Sequence, residues 1–415
     1  MQFPDTAGRR TPPWLIGMGS LTFGLAAGFA VTALPFLLAK AGIGVGRIAG
    51  ISAVALSPTF WAFLVTPIVD VGFTRRTYAF VLACGAALSL TAALWLFSPE
   101  RLPLFTALLL LAELGVVLQA SAVGGWVSEF VANEQRGKVG GWTNVANLGG
   151  GALGAMAMMG LASWCSFRAL GLIIGFGILA SSLVLLGFPA PVLPVLGLGR
   201  VFGGTFRSVV KTSRQPEVLT GFLIFLAPAA CVAAINLFAA LGADFRAAPR
   251  QVVWVTGAGA AITCSLGALL GGYMADRVDR GVLYMTGGIL GGAVALALAF
   301  SPHRASVFIA GVLIYNGVAG LCYAAFSALG LQLVGTRNPT AATQLALFAA
   351  ASNSAVVYMT WADGQGYGMF GIRGLFLTDG VAAIGAAIPL LIFLRWRARL
   401  RPNVTVQESL ADAEA

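Results

Sequence analysis

Apolar runs of about 20 residues, each ended by a short polar turn, follow one another from near residue 14 to near residue 394. A run of that length crosses the hydrocarbon core of a bilayer as a helix. The runs fall at 14–38, 48–69, 77–98, 103–128, 139–161, 167–189, 218–240, 252–275, 281–300, 306–333, 340–361 and 375–394. They predict an all-α membrane protein with twelve transmembrane helices and both chain ends on one side. Span 2 contains Pro58 and Pro67, which free backbone carbonyls and permit a bend.

Two of the polar turns match. Trp61–Arg76, WAFLVTPIVDVGFTRR, ends an apolar helix with Asp70 and then Arg75 and Arg76. Gly272–Arg280, GYMADRVDR, does the same with Asp276, Arg277 and Arg280. The aspartates are 206 residues apart (276 − 70), close to half of the 415-residue chain. The same charged turn at the same phase of two halves indicates an internal repeat, as in many membrane transporters. The expected organisation is a six-helix bundle over 1–189, a linker over 190–217, a second six-helix bundle over 218–396 and a tail over 397–415.

Composition agrees with the pattern. Charged residues make up 10% of the chain and hydrophobic ones 58%, against about 25% charged in soluble domains. The net charge of +10 is explained by where the cations sit. Counted over the predicted turns, 17 Lys and Arg fall on the side of the termini and 8 on the other. By the positive-inside rule the termini are cytoplasmic, and the basic excess is a topology signal rather than a nucleic-acid site. In the linker, Arg200, Arg207, Lys211 and Arg214 stand among apolar positions, as in a basic helix lying on the inner leaflet. The tail runs from basic to acidic and is expected to be disordered. Five scattered cysteines without a CxxC give no disulfide or metal framework. The first apolar run is too long for a cleaved signal, and Arg9-Arg10 reads as ordinary anchoring.

Few polar residues lie inside spans. Glu113 is reached about 15 Å into span 4, near the bilayer midplane. A carboxylate there costs roughly 2.5–3.5 kcal/mol. It is either a protonatable site tied to conformation or a hydrogen-bonded glutamate that joins two helices. Span 10, the repeat mate of span 4, brings Tyr315 and Asn316 to the same depth, where they either touch a solute or bond between helices. Asn236, Thr263, Gln344, Asn353 and Tyr358 are weaker candidates. The glycine-rich run from Asn144 to Gly154 is expected to be a packing seam, since a phosphate loop needs a following Lys-Ser/Thr. His303, the only histidine, falls in a short loop and is expected to be solvated. No Walker lysine, HExxH or nucleophile elbow occurs, so no enzyme activity and no cofactor is expected. The energy source is then an ion gradient, at about 2.3 kcal/mol per charge and 100 mV.

Twelve spans in two halves, with Asp70…Arg75-Arg76 after span 2 and Gly272…Asp276-Arg277…Arg280 after span 8, resemble the major facilitator superfamily. The second turn follows that family's G-x-x-x-D-R-x-x-R pattern; the first has Thr66 in place of the glycine. The resemblance implies two bundles rocking about a midplane site, with Asp70, Arg75, Arg76, Asp276, Arg277 and Arg280 bracing them on the cytoplasmic side. Phe60–Asp70 and Gln119–Gly137 are similar to segments of AmpG-type muropeptide permeases and their acetyl-CoA transporter relatives, with Gln119, Trp126, Glu129, Glu134, Arg136 and Gly137 matching. The lysine and two aspartates of those segments are Ala62, Ala120 and Gly124 here. Without that charged set, a different polar organic solute is as well supported as a muropeptide, and siderophore permeases are also similar.

The expected function is proton-coupled uptake of a medium-sized polar organic solute across a bacterial inner membrane by alternating access. Glu113 is the expected proton carrier, and Gln119, Tyr315, Asn316 and Asn353 are the expected substrate contacts. The expected partners are a small-molecule substrate, the proton and the lipid bilayer, with the protein a monomer. Efflux by proton antiport fits the same scaffold. A non-transporting membrane receptor is a third reading.

Overall fold

The computed structural model describes residues 11–162, 164–189, 215–336 and 338–400. The basic linker helix expected over 190–217 and the expected tail lie almost wholly outside the described residues. Twelve helical segments follow in order: α1 (13–40), α2 (45–70), α3 (Arg75–Trp95), α4 (Leu102–Phe130), α5 (136–161), α6 (167–187), α7 (216–241), α8 (Pro249–Ala275), α9 (Arg280–Ala299), α10 (Ala305–Val334), α11 (341–369) and α12 (372–400). Among the described residues, nine stretches are long and apolar enough to cross a membrane. One of these, Ala341–Trp396, turns back at Phe370 and Gly371 and supplies both α11 and α12. The interrupted segments α5 and α7 complete a set consistent with the expected twelve.

The interruptions have local causes. After Pro58, α2 tightens into 3₁₀ turns over Ala62–Leu64 and Thr66–Asp70, the second opening with Pro67. Both prolines remove a donor from the ladder. In α7 the helix Pro216–Leu226 stops ahead of Pro228. The chain resumes as a 3₁₀ turn at Ala233–Asn236 after Val232, which has φ 47°. The expectation of one continuous span over 218–240 is corrected here: proline and a left-handed residue divide it. Single π turns interrupt α1 at Phe29–Ala33, α5 at Val145–Gly149 and α8 at Val255–Gly259.

Buried apolar residues form one cluster drawn from 26–178 and a larger one drawn from 218–387. A third joins Ile16, Val69, Val123, Trp126 and Leu185 to Leu331 and Ala342. The halves meet where α5 packs on α8 and α2 packs on α11. The glycine run after Asn144 is a packing seam, as expected. A Cβ on Gly28 of α1 would sit 2.1 Å from the carbonyl of Gly151 in α5. Helix-to-helix backbone contact of this kind is how apolar segments associate in lipid.

Candidate functional site: a reciprocal latch between the halves

The two charged turns lie at the same end of the molecule, and each reaches into the opposite half. Asp70 closes α2, Gly72 turns the chain with φ 91°, and the Thr74 side chain caps α3 by accepting from the Thr77 amide. Arg75, the first residue of α3, is thereby held beside Asp70. In the second copy Asp276 follows α8, Asp279 caps α9 by accepting from the Val282 amide, and Arg280 is the first residue of α9.

Asp70 accepts from the Ala342 amide at 3.2 Å, the Thr343 amide at 3.0 Å and the Thr343 hydroxyl at 2.7 Å. It therefore caps α11 in place of a residue of that helix. Asp276 accepts from the amides of Gly137 at 2.7 Å and Lys138 at 3.0 Å, so it caps α5. The arginines cross the same boundary. Arg75 donates to Asp70 at 3.0 Å, to Glu129 at 3.2 Å and to the Asn338 carbonyl at 2.9 Å. Arg280 donates to the side chain of Asn133 at 2.8 Å and to its carbonyl. The two networks superimpose in sequence. Arg280 follows Arg75, Asn338 follows Asn133 and Ala342 follows Gly137 by the same 205 residues (280 − 75, 338 − 133, 342 − 137).

Both acids are buried, with side-chain exposures of 4% for Asp70 and 5% for Asp276. Burial raises the Asp70 carboxyl above its ordinary value, while Arg75 and the Thr343 and Ala342 donors pull it back. Burial raises Asp276 in the same way, against the Lys138 and Gly137 amides and Arg280. Arg136, at the start of α5, adds a third tie. It donates to the Ser128 carbonyl of α4 and the Leu331 carbonyl of α10, each at 2.7 Å. Cations at helix C-termini are favourable, and here one cation serves two helices.

Two residues expected in this network stay out of it. Arg76 donates to the carbonyl of Phe188 at 2.8 Å, just beyond α6 in its own half. Arg277 lies 3.4 Å over the Tyr273 ring and donates to the Tyr273 carbonyl within α8.

The candidates inside the spans do not converge on one place. Glu113 faces a void no larger than a water molecule, lined by Phe29, Ala30, Leu34, Ala86, Leu90 and Val116 within the first half. Gln119 donates to the Gly19 carbonyl of α1 at 3.0 Å, and its side-chain oxygen has no hydrogen-bond partner among the described residues. Asn316 bonds back to the Val312 carbonyl of its own helix. Asn353 reaches across the halves, from α11 to the Thr59 carbonyl of α2 at 3.4 Å. Tyr315 donates at 2.7 Å to Asp379 of α12. Asp379 is a buried carboxylate that the sequence reading passed over, as is Asp363 of α11.

No protein-family model matches the chain, and no curated protein matches it. Solved structures do. The human organic anion transporter MFSD10 (TETRAN) aligns over 92% of this chain and 100% of its own, at 16% identity and TM-score 0.68. The proton:xylose symporter XylE, bound to 6-bromo-6-deoxy-D-glucose, aligns over 92% and 94% at 13% identity and TM-score 0.66. The fold is that of the major facilitator transporters. In this fold of two halves, the contact across the boundary is made twice, by residues 205 or 206 apart in sequence.

Proposed function

We propose that this chain is a secondary active transporter that takes up a medium-sized polar organic solute across an inner membrane by alternating access. The observation that carries the reading is the reciprocal latch. Asp70 caps α11 of the second half and Asp276 caps α5 of the first. A contact built from polar groups that water can also satisfy is suited to repeated opening, unlike an apolar interface of the same size. Residues 1–189 and 218–396 are the two moving bundles in this reading. The latch end faces the cytoplasm with both termini, in line with the Lys and Arg distribution.

The far end carries an open pocket lined by Arg246, Ser301, Pro302, His303, Arg304 and Arg373. Its charge favours the approach of solutes that bear negative groups. That the neighbour MFSD10 is described as an organic anion transporter agrees with this preference. The similarity of Phe60–Asp70 and Gln119–Gly137 to the muropeptide-permease segments supports a solute of comparable size. Coupling is to protons, with Glu113 as the carrier. It lies about 16 Å along α4 from Leu102, buried in an apolar void.

The test uses purified protein in proteoliposomes, a panel of labelled polar organic solutes and an imposed pH gradient. Wild type should accumulate at least one solute. Glu113→Gln should lose accumulation and keep exchange of solute between the two sides. Accumulation that Glu113→Gln leaves unchanged removes the proton role from this residue. No flux of any solute by wild type removes the transport reading.

A further inference from the structure

We propose that Arg246, Arg304 and Arg373, at the end of the molecule away from the latch, form a binding site for a phosphate group. They come from three separate places in the chain: the turn between α7 and α8, the turn between α9 and α10, and the start of α12. All three are exposed. With Ser301, Pro302 and His303 they line one open cavity of about 310 Å³, at the small end of the range for ligand sites.

The convergence is built from beneath. Phe245, Phe308 and Phe376 are almost wholly buried. The Phe245 ring lies 5.7 Å from Phe308 and 6.4 Å from Phe376, between centroids. Arg246 follows Phe245 directly, Arg304 precedes Phe308 by four residues and Arg373 precedes Phe376 by three. His303 meets Phe245 edge to face at 5.6 Å. The three segments thus share one aromatic floor, and the arginines stand at its margin.

Each arginine sits where local preference disfavours it. The turn after α7 is closed by the Ala247 amide on the Gly242 carbonyl and the Arg246 amide on the Ala243 carbonyl, each at 2.9 Å. That pattern puts Arg246 in the left-handed region, with φ 58°, a place usually taken by glycine. A non-glycine residue held there points to function. Arg304 is the residue before α10 and Arg373 lies in the first turn of α12. The positive end of a helix favours acids at such positions, and a cation adds to its charge.

No acid of the protein offsets this charge. Among the described residues no ion pair reaches any of the three. Asp244, the acid nearest to Arg246 in sequence, lies outside the lining and accepts from the Tyr367 hydroxyl at 3.0 Å. The first half shows the alternative. Arg168 and Trp95 precede Arg373 and Phe300 by the same 205 residues (373 − 168, 300 − 95). Arg168 lies 5.6 Å over the Trp95 ring, whereas Arg373 lines the cavity. At that offset Arg246 and Arg304 correspond to Ala41 and Pro99, so the cluster belongs to the second half alone.

Guanidinium forks around one cavity repel each other until an oxyanion enters, and they match carboxylate and phosphate oxygens in pairs. A carboxylate presents its two oxygens in one plane. A tetrahedral phosphate presents oxygens on every side, which suits forks arriving from three segments. The phosphate can belong to a soluble compound or to a lipid headgroup.

The test is binding of labelled inorganic pyrophosphate to the full chain in detergent, read by equilibrium dialysis at fixed pH and ionic strength. Wild type should bind it saturably. Arg246→Gln, Arg304→Gln and Arg373→Gln should each weaken binding about tenfold or more, the worth of a hydrogen bond to a charged group. Arg250→Gln removes the same charge from the same end but outside the cavity, and should bind as wild type does. Absence of saturable binding, an equal loss in Arg250→Gln, or tighter binding of citrate than of pyrophosphate would overturn the site. Added phosphatidylglycerol, compared with oleate at equal charge, separates the two sources. Displacement of pyrophosphate by the phospholipid alone supports the site with a headgroup as its occupant. Binding that neither lipid disturbs supports it with a soluble phosphate. That such a phosphate belongs to an entering solute rests on the transporter reading. The site itself does not, and no outcome here depends on flux, so failure here is distinct from failure of that reading.

Discussion

The two copies of the latch do the same work with different materials. In the first copy the facing positions carry side chains: Thr66 on α2 is fully buried, and so is Ala342 on α11. Their mates in the second copy are Gly272 and Gly137. A Cβ on Gly137 would lie 2.4 Å from the Gly272 carbonyl and 2.5 Å from Asp276 Oδ1. The second copy therefore relies on backbone contact between α5 and α8. The first relies on bonds from side chains, with the Thr343 hydroxyl and Glu129 added to the two shared elements. Ion-pair distance follows the same division, at 3.0 Å for Arg75 with Asp70 and 3.8 Å for Arg280 with Asp276. The latch is thus set by the placing of an acid at a foreign helix start, and the packing beneath it is free to vary.

Removing Asp70 should have the largest effect. Asp70→Ala leaves buried Arg75 with Glu129 and the Gly125 and Asn338 carbonyls but without its nearer carboxylate, and strips the caps from Ala342 and Thr343. A cost of about 3 kcal/mol is expected, roughly a hundredfold in the opening equilibrium. Hydrogen–deuterium exchange over residues 131–143 and 338–345 reads it as lost protection in both turns. Next comes Gly137→Ala, which forces α5 and α8 apart at a cost of about 1–3 kcal/mol. The reverse change at the mate position, Ala342→Gly, should cost about 1 kcal/mol or less, from helix propensity alone. Equal responses at the two positions would erase the distinction between a backbone-packed copy and a side-chain-packed one. Asp276→Ala should cost about 1–2 kcal/mol, the value of a lost helix cap. Arg280 keeps its Asn133 partners in that variant.

Much of this was legible from the sequence because it depends on hydropathy and spacing. The apolar runs located the helices, and the repeated acid-and-base turns located the latch. What the pattern hid was which atoms the acids meet. Amide donors of Gly137 and Thr343 carry no side-chain signature, and Asn133 and Asn338 look like ordinary turn residues. Asp363 was missed for a different reason. Gly364, Gly366, Gly368, Gly371 and Gly374 lower the hydropathy of 362–374, so the stretch reads as a loop although α11 continues to residue 369. Asp379 had a usable signal. It stands within the apolar run 375–394, where a carboxylate is as costly as Glu113. The break in α7 was signalled by Pro228, while the left-handed Val232 that completes it was not.

The smallest expected effect is the sharpest check on the assignment of the arginines. The turn Asp276-Arg277-Val278-Asp279-Arg280 offers two arginines, and sequence alone does not say which crosses between the halves. In the structure Arg277 is exposed, stacked on Tyr273 and bonded within its own helix. Arg280 is buried and bonded to Asn133 of the other half. Arg277→Ala should therefore change the stability of the closed latch by no more than about 0.5 kcal/mol, and exchange in the two turns should stay near wild type. Arg280→Ala removes a buried cation from Asn133 and Asp276 and should open the latch by tenfold or more, at about 1.4 kcal/mol per decade. If Arg277→Ala released the turns as much as Asp276→Ala does, the crossing contact would belong to the first arginine of the turn. The one-to-one correspondence of Arg75 with Arg280 would then fail.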